Sequence, residues 1–190
     1  MMDRSDFIHK FINDPQKIGS ITPSSSYLTK RMLENLPWDS LDTIVELGAG
    51  TGIFTDYVAS NKCEFCKMLI IEQDCKMREA LQIRYPEFNY GTEAGNLTRL
   101  LNEYDLPKVD CIISGLPFAL FPVELQEQIM LEVLAALKPD GLFIAYQYSL
   151  QMWLTLEYYF GEVAISFEPL NLPPAFVYCC TAPKNATFEY

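Results

Sequence analysis

Basic side chains and histidine are scarce in this sequence. Among its 190 residues, 14 Lys and Arg stand against 25 Asp and Glu, there is one histidine, and the formal net charge is −11. Proteins that bind nucleic acid neutralise phosphates with basic surface, so this balance argues against a nucleic-acid partner. Residues 1–36 are the exception, because their five basic and four acidic side chains leave a net charge of +1. An anionic partner is therefore expected to meet that segment.

The shortage of histidine also argues against a metal centre. Cys63 and Cys66 form a C-x-x-C pair, but no second pair follows at a matching spacing, and His9 is far away along the chain. Two or three thiols without histidine support make a poor zinc site. We therefore expect no metal, and we interpret the six cysteines as free thiols of a reducing cytosol.

Long apolar runs, internal repeats and interdomain linkers are absent as well. No run is long enough to span a bilayer, and residues 1–6 lack the profile of a signal peptide. A chain of this length suits one domain with a sizeable core. We expect a cytoplasmic protein without a stable protein partner, in which a helical segment, residues 1–36, precedes one domain, residues 37–190.

Apolar, strand-like runs alternate with amphipathic, helix-like ones along that domain. The predicted strands are residues 43–47, 67–72, 88–91, 109–114, 141–148, 162–168 and 175–181. The predicted helices are residues 51–60, 74–85, 96–103, 122–137 and 150–160. This alternation predicts an α/β fold, a mostly parallel sheet with helices on both faces. Only a Pro-rich turn separates the last two strands, so one antiparallel pair is expected there.

The front of the chain carries an amphipathic pattern of its own. Residues 5–14 predict a helix that ends at Pro15. The apolar side chains on one face of this helix are Phe7, Ile8, Phe11 and Ile12. A second helix is predicted over residues 24–35, with Ser24 or a neighbouring serine as its N-cap. The first helix has two interpretations: its apolar face inserts among lipid head groups, or it packs onto the protein as a lid.

The stretch Val45–Val58 predicts a ligand-binding turn between a strand and a helix. Gly48, Gly50 and Gly52 fall at the turn, where glycine permits positive φ and a close approach to the backbone. Their spacing is G-x-G-x-G and not the dinucleotide fingerprint G-x-G-x-x-G. Glu46 precedes them, and a carboxylate there repels a pyrophosphate but suits a cation. The pattern therefore favours S-adenosylmethionine, which carries a sulfonium and an ammonium group.

Two further acids follow predicted strands in the order that such a site requires. Glu72 ends the second strand about 20 residues after the turn, where a carboxylate commonly binds ribose hydroxyls. Glu93 follows the third strand, where it is placed to face the adenine amino group. Taken alone, each acid is equally well a solvated surface residue at the end of a strand.

The sequence E-L-G-A-G-T-G at 46–52 resembles motif I of the class I S-adenosylmethionine-dependent methyltransferases. Other segments resemble the bacterial phospholipid N-methyltransferases. They are F-I-H-K-F-I-N-D-P-Q-K-I-G-S-I-T-P-S-S at 7–25, S-G-L-P-F at 114–118, L-K-P-D-G at 137–141 and N-L-P-P-A-F-V-Y at 171–178. This resemblance implies a Rossmann-like, seven-stranded sheet and methyl transfer to the ethanolamine head group of phospholipids. It also implies an N-terminal amphipathic helix that touches the membrane, and hence a peripheral position on its inner face.

The glycine turn and the family resemblance together predict the site residues. The predicted cofactor-binding residues are Glu46, Gly48, Ala49, Gly50, Gly52, Glu72, Gln73, Glu93, Ala94, Ser114, Gly115 and Leu116. The predicted catalytic residues are Tyr148, Ser114 and Tyr27. An ammonium group must lose a proton before it can attack, and these hydroxyls are candidates for accepting the proton or orienting the amine. Tyr148 is favoured because it lies near the carboxyl end of a strand, although a core tyrosine explains it equally well.

One departure from the family pattern concerns the fifth strand. The related enzymes usually show Q-F-T-Y after it, whereas this chain has Ala145, Tyr146, Gln147 and Tyr148. The tyrosine is kept, but the polar residue three positions before it is replaced by Ala145.

The turn and the order of strands also resemble the rRNA adenine dimethyltransferases. Those enzymes have N-[IL]-P-[YF] at the end of the fourth strand, where the asparagine accepts a hydrogen bond from the target amino group and the aromatic ring stacks on the base. Here the segment is Ser114–Phe118, which lacks the asparagine, and the helical C-terminal domain of those enzymes is missing. RNA is thus the weaker alternative. A small-molecule methyltransferase and a non-catalytic protein that binds the cofactor are the other two.

Overall fold

The computed structural model describes residues 25–184, which form one seven-stranded sheet flanked by helices. The strands are Thr43–Leu47 (β1), Lys67–Ile71 (β2), Asn89–Gly91 (β3), Val109–Ser114 (β4), Leu137–Gln147 (β5), Phe160–Glu168 (β6) and Ala175–Pro183 (β7). The helices are Ser26–Leu33 (α1), Ile53–Asn61 (α2), Cys75–Arg84 (α3), Leu97–Glu103 (α4), Val123–Ala136 (α5) and Trp153–Tyr159 (α6). The helix predicted over residues 5–14 and the N-cap candidate Ser24 lie outside the described residues.

The strands lie in the order β3-β2-β1-β4-β5-β7-β6. All neighbours are parallel except that β7 is antiparallel to both β5 and β6. The predicted α/β fold, with its mostly parallel sheet and helices on both faces, is confirmed. Where one antiparallel pair was expected there are two, because β7 inserts between β5 and β6.

Two apolar clusters cover the two faces of the sheet. Val45 and Leu47 of β1 pack into the cluster shared with α4, α5 and α6. Ile44 of the same strand packs into the cluster shared with α1, α2 and α3. Every residue of β1 is buried, as expected for an inner strand of a sheet that is covered on both faces.

Helix α1 belongs to the second of these clusters. The Ser25 side chain caps the helix by accepting a hydrogen bond from the Leu28 N–H, with 3.2 Å between nitrogen and oxygen. Leu28, Met32 and Leu33 are buried on its inner face. Within residues 25–184, no helix combines the length and the apolar character that crossing a bilayer requires.

Strand β5 begins four residues before the predicted one. It starts at Leu137 instead of residue 141, because Leu137 pairs with Val109 of β4 before a register shift. Charged side chains tie the strands together at this end of the sheet. Lys138 Nζ lies 2.6 Å from Asp110 Oδ1, and Asp110 Oδ2 accepts hydrogen bonds from the N–H groups of Asp42 and Thr43 at 3.0 and 2.9 Å.

We expect Asp110→Ala to destabilise the protein, because it leaves the two N–H groups at the start of β1 without their acceptor. The loss in unfolding free energy should be about 1–3 kcal/mol, which urea titration measures. Asp140→Ala, at an exposed position of the same end of the sheet, is the control and should cost less than about 0.5 kcal/mol. Equal losses in the two variants would contradict the assignment.

Candidate functional site

The candidate site lies where the carboxyl ends of β1 and β4 meet. The sheet register places Ile71, Leu47, Ser114 and Ala145 side by side on neighbouring strands. After β1 the chain continues to β2 and β3 on one side of the sheet, and after β4 it continues to β5 on the other side. In open parallel sheets, ligands bind at such a reversal of strand order.

The turns after β1 and β4 are in backbone contact. Gly115 N donates a hydrogen bond to Leu47 O, and Gly48 N donates one to Ile71 O, both at 2.8 Å. A Cβ atom on Gly115 would lie 2.8 Å from Gly48 O, which is closer than real Cβ contacts allow. The two turns can approach each other this closely only because Gly115 has no side chain.

Gly50 is at the open side of this contact. Its φ is +56°, in the left-handed region that favours glycine. A Cβ atom there would meet no heavy atom of residues 25–184 within 4 Å. By contrast, a Cβ on Gly48 would lie 2.9 Å from the Leu116 side chain. The turn is therefore packed against the protein on one side and leaves space beside Gly50 on the other.

The buried Glu72 carboxylate joins this turn to the loop after β2. Its Oε2 accepts a hydrogen bond from Gly50 N at 2.7 Å, and its Oε1 accepts one from Asp74 N at 2.8 Å. Each carboxylate oxygen has a further lone pair with which it can accept a hydrogen bond from a ligand hydroxyl. The sequence predicted Glu72 at the end of the second strand, and in the structure its carboxylate reaches the glycine turn.

Glu46 is placed differently from what the charge argument assumed. Its side chain is fully buried, and Thr55 Oγ1 of α2 donates a hydrogen bond to its Oε2 at 2.6 Å. Its Oε1 is buried and has no hydrogen-bond partner among the described residues. Burial, opposed by the Thr55 hydrogen bond, raises the pKa of Glu46 to about 8. The side chain is therefore mainly a neutral acid at pH 7, and it contributes little negative charge to the turn.

The remaining predicted residues on the β2–β3 side lie at strand ends. Gln73 follows Glu72 and is exposed. Glu93 is also exposed, and its carboxylate accepts a hydrogen bond from the Asn96 side chain. Ala94 is buried at the start of a single 3-10 turn. Ala49 is buried within the glycine turn itself.

The turn after β4 is shaped by two side chains. Ser114 is fully buried, and its hydroxyl accepts a hydrogen bond from Leu116 N at 3.3 Å. Gln147 Nε2 donates a hydrogen bond to Leu116 O at 2.9 Å. The Ser114 hydroxyl thus supports its own turn, and the Leu116 carbonyl is already engaged by Gln147.

The two candidate tyrosines lie on different elements near this edge. Tyr148 follows β5 directly and keeps 44% of its surface exposed, and its ring packs edge-on against that of Tyr146 at 5.8 Å. Burial of the hydroxyl and the neighbouring Tyr146 raise the pKa of Tyr148 well above its ordinary value. It is therefore a neutral phenol at pH 7. Tyr27, on the first turn of α1, is 55% exposed.

Comparison with known sequences identifies the family. Residues 45–145 match the family described as "Methyltransferase domain". The chain is also 34% identical to an ornithine lipid N-methyltransferase of Singulisphaera acidiphila over 193 aligned positions, which cover 98% of this chain and 100% of that protein. The chain belongs to the class I S-adenosylmethionine-dependent methyltransferases. S-adenosylmethionine is accordingly its cofactor.

Solved structures show the same fold as this methyltransferase. The N-methyltransferase NodS of Bradyrhizobium japonicum, in complex with S-adenosyl-L-homocysteine, gives a TM-score of 0.69 at 10% identity, with 96% of this chain and 100% of that chain covered. Phosphoethanolamine N-methyltransferase 1 of Haemonchus contortus gives 0.66 at 13% identity, with 98% and 50% covered. At these identities the likeness concerns the fold.

Three polar residues of this methyltransferase support the site although the sequence did not indicate their roles. Thr55 holds Glu46, Gln147 holds the turn after β4, and Asn171 is buried in the turn between β6 and β7. Asn171 is the first residue of the N-L-P-P-A segment. The family resemblance indicated that segment, but it did not indicate the hydrogen bond between Asn171 and Ser25 N. The partners of the other two lie on separate elements, so no spacing along the chain indicated them.

We expect the buried Glu46 to make stability depend on pH. The folded pKa of about 8 exceeds the reference value of 4.5, so the folded state holds an extra proton between those values and loses stability as the pH rises through this window. The slope from this group is at most about 1.4 kcal/mol per pH unit. Glu46→Gln should flatten the urea-derived stability profile between about pH 5 and 8. An unchanged slope in the variant would contradict the raised pKa.

Substitution of Gly50 tests whether the space beside the turn receives the cofactor. Gly50→Ala should weaken S-adenosylmethionine binding at least about tenfold by calorimetry, and cost about 1–2 kcal/mol of stability through its left-handed backbone. Gly50→Asn is the matched variant, because asparagine tolerates this conformation better while its side chain fills the space. It should bind at least as poorly and be more stable than the alanine variant. If Gly50→Asn binds S-adenosylmethionine as well as the wild type does, the weaker binding of Gly50→Ala is due to backbone strain and not to a filled cofactor site.

Proposed function

We propose that this methyltransferase N-methylates the amine of a membrane-lipid head group, with ethanolamine phospholipid as the acceptor. The observation that carries the proposal is the relation, over nearly the whole chain, to an ornithine lipid N-methyltransferase. Ethanolamine phospholipids and ornithine lipids both present a primary amine on a head group that also bears an anion. The segments at 7–25 and 171–178 favour the phospholipid.

Exposed apolar side chains around the candidate site support a lipid acceptor. The exposed ones on elements that begin or turn at the carboxyl edge of the sheet are Tyr27, Val123, Leu150, Trp153, Leu154, Leu170 and Leu172. Large exposed apolar patches mark protein or membrane contacts. A lipid whose head group enters the site keeps its acyl chains in the bilayer, so an apolar rim here suits the proposed acceptor. Residues 1–36 are proposed to add a membrane contact or a lid.

The cofactor fits the turn after β1. The space beside Gly50 allows the ligand to approach the backbone of the turn closely. The Glu72 carboxylate has lone pairs left with which it can accept hydrogen bonds from the ribose hydroxyls. Glu93 and Ala94 are proposed to line the adenine, and Gly115 and Leu116 the opposite wall. When bound, S-adenosylmethionine supplies an electrophilic methyl group on a sulfonium. The neutral Glu46 is proposed to support the turn from the protein interior, through the hydrogen bond that it accepts from Thr55.

Tyr148 is proposed to orient the acceptor amine. Its raised pKa leaves it a poor proton acceptor at pH 7, so its oxygen acts as a hydrogen-bond acceptor for an amine N–H. The proton that the ammonium loses passes to solvent, which reaches this half-exposed side chain. Ser114, buried in its turn, is proposed to act on the acceptor side only by fixing the turn after β4. Tyr27, exposed on α1, is proposed to contact the head group. Such positioning lowers a barrier by several kcal/mol.

The direct test is methyl transfer to vesicles. Purified protein with labelled S-adenosylmethionine should label phosphatidylethanolamine in vesicles and leave phosphatidylcholine vesicles, which have no free amine, unlabelled. Parallel reactions with ornithine lipid vesicles show which head group is preferred. Reactions with free ethanolamine show whether the acceptor must be part of a bilayer. Label in RNA or in soluble amines alone would contradict a lipid acceptor. Cofactor binding without turnover on any acceptor would favour the non-catalytic alternative.

A further inference from the structure

Exposed apolar side chains are grouped at one corner of the sheet. After β5 the chain continues into the start of α6 at the carboxyl edge, and the turn between β6 and β7 returns to the same edge. The exposed apolar residues on these two connections and at the end of β6, here called the apolar corner, are Leu150, Trp153, Leu154, Phe167, Leu170 and Leu172. Such a group on a protein surface marks a contact with another protein or with a membrane.

The parts of the apolar corner form one continuous surface. Ser149 O, just before α6, accepts a hydrogen bond from the Tyr178 hydroxyl of β7 at 3.0 Å. Phe167 of β6 lies opposite Phe176 of β7, with 5.0 Å between the centroids of their rings. Phe176 packs against the apolar cluster that contains Leu156 of α6. Phe167 therefore lies on the face of the sheet that α6 covers, next to the β6–β7 turn.

Both connections lack charged side chains. Residues 148–156 and 169–183 contain none, although the chain has 14 basic and 25 acidic residues. Glu168, the acid next to the β6–β7 turn, is buried, and its Oε2 lies 3.2 Å from Arg31 Nε. A protein partner meets a polar rim, whereas the apolar part of a bilayer excludes charge. The uncharged corner is therefore complementary to a bilayer.

The position of the apolar corner points to the same partner. Trp153 keeps 42% of its surface exposed, and tryptophan is enriched at the interface between membrane and water. Tyr148, which is proposed to orient the acceptor amine, precedes Leu150 by two residues. A bilayer that rests on this corner presents its head groups to the proposed acceptor side of the site.

We infer that the apolar corner is the surface by which this protein docks on a lipid bilayer, through insertion of uncharged side chains. The inference deepens the proposed function, because it names the surface that brings a lipid acceptor to the site. Salt screens charges and leaves apolar contacts in place. Docking through this corner should therefore be insensitive to salt and should not need anionic lipid, unlike a contact made by the basic side chains of residues 1–36.

The test is cosedimentation with phosphatidylcholine vesicles. Leu154→Glu and Leu172→Glu should each lower the partition coefficient at least about tenfold. Ile83→Glu is the matched control, because Ile83 is 83% exposed, compared with 75% for Leu154, and lies on α3, beside the opposite end of the strand order. It should bind within about twofold of the wild type. All three variants should keep their affinity for S-adenosylmethionine within about twofold in calorimetry, which shows that they are folded.

The salt dependence of wild-type binding is the second measurement. Between about 0.1 M and about 1 M NaCl the partition coefficient should change less than about twofold. The inference is overturned if binding falls steeply with salt, if Leu154→Glu and Leu172→Glu bind like the wild type, or if Ile83→Glu loses as much as they do. A dimer in ultracentrifugation that Leu154→Glu dissociates would instead assign the corner to a second copy of the chain.

Vesicle binding is measured without methyl transfer, so the two proposals can fail separately. If the protein docks as described but methylates no lipid amine, the proposed function fails and the docking surface stands. If it methylates phosphatidylethanolamine but binds no phosphatidylcholine vesicles, the docking inference alone is overturned.

Discussion

The hydrogen bonds from two loops to the buried Glu72 carboxylate set the shape of the turn after β1, the proposed cofactor site. They join the glycine turn to the loop after β2 through Gly50 N and Asp74 N. Hydrogen bonds to an ionised acceptor are stronger than neutral ones, and burial shields them from water. On the other wall, the contact between Gly115 and Gly48 leaves no room for a side chain. The turn is therefore held from both sides before any ligand arrives.

The two halves of the site use different chemistry. On the proposed cofactor side, backbone groups and one carboxylate define the shape. On the proposed acceptor side, aromatic rings and an amide do so, with Tyr148 packed on Tyr146 and Asn171 hydrogen-bonded to Ser25 N before α1. Side chains can be exchanged without altering the sheet, so the proposed acceptor half is the part of the site that can vary.

Much of the fold was predictable, because local patterns determine it. The bounds of β1 and β4 agree with the prediction, since each is a short apolar run between turn residues. Glu72 was expected at the end of the second strand and directly follows β2, but its hydrogen bond with Gly50 N was not predicted. The orientation of Glu46 was not predictable, because it depends on which face of β1 meets Thr55. Asn171 and Ser25 are 146 residues apart, so only the folded chain brings them together. The early start of β5 depends on its pairing with Val109.

The antiparallel β7 carries a consequence for how this protein can diverge. Since β7 runs against β5 and β6, the short connection between β6 and β7 returns to the edge where the parallel strands end. A change in the length or composition of that connection alters the proposed acceptor side and leaves β1, β2 and β4 unchanged. On the proposed assignment, the choice of methyl acceptor can therefore change through one hairpin tip without a change at the glycine turn.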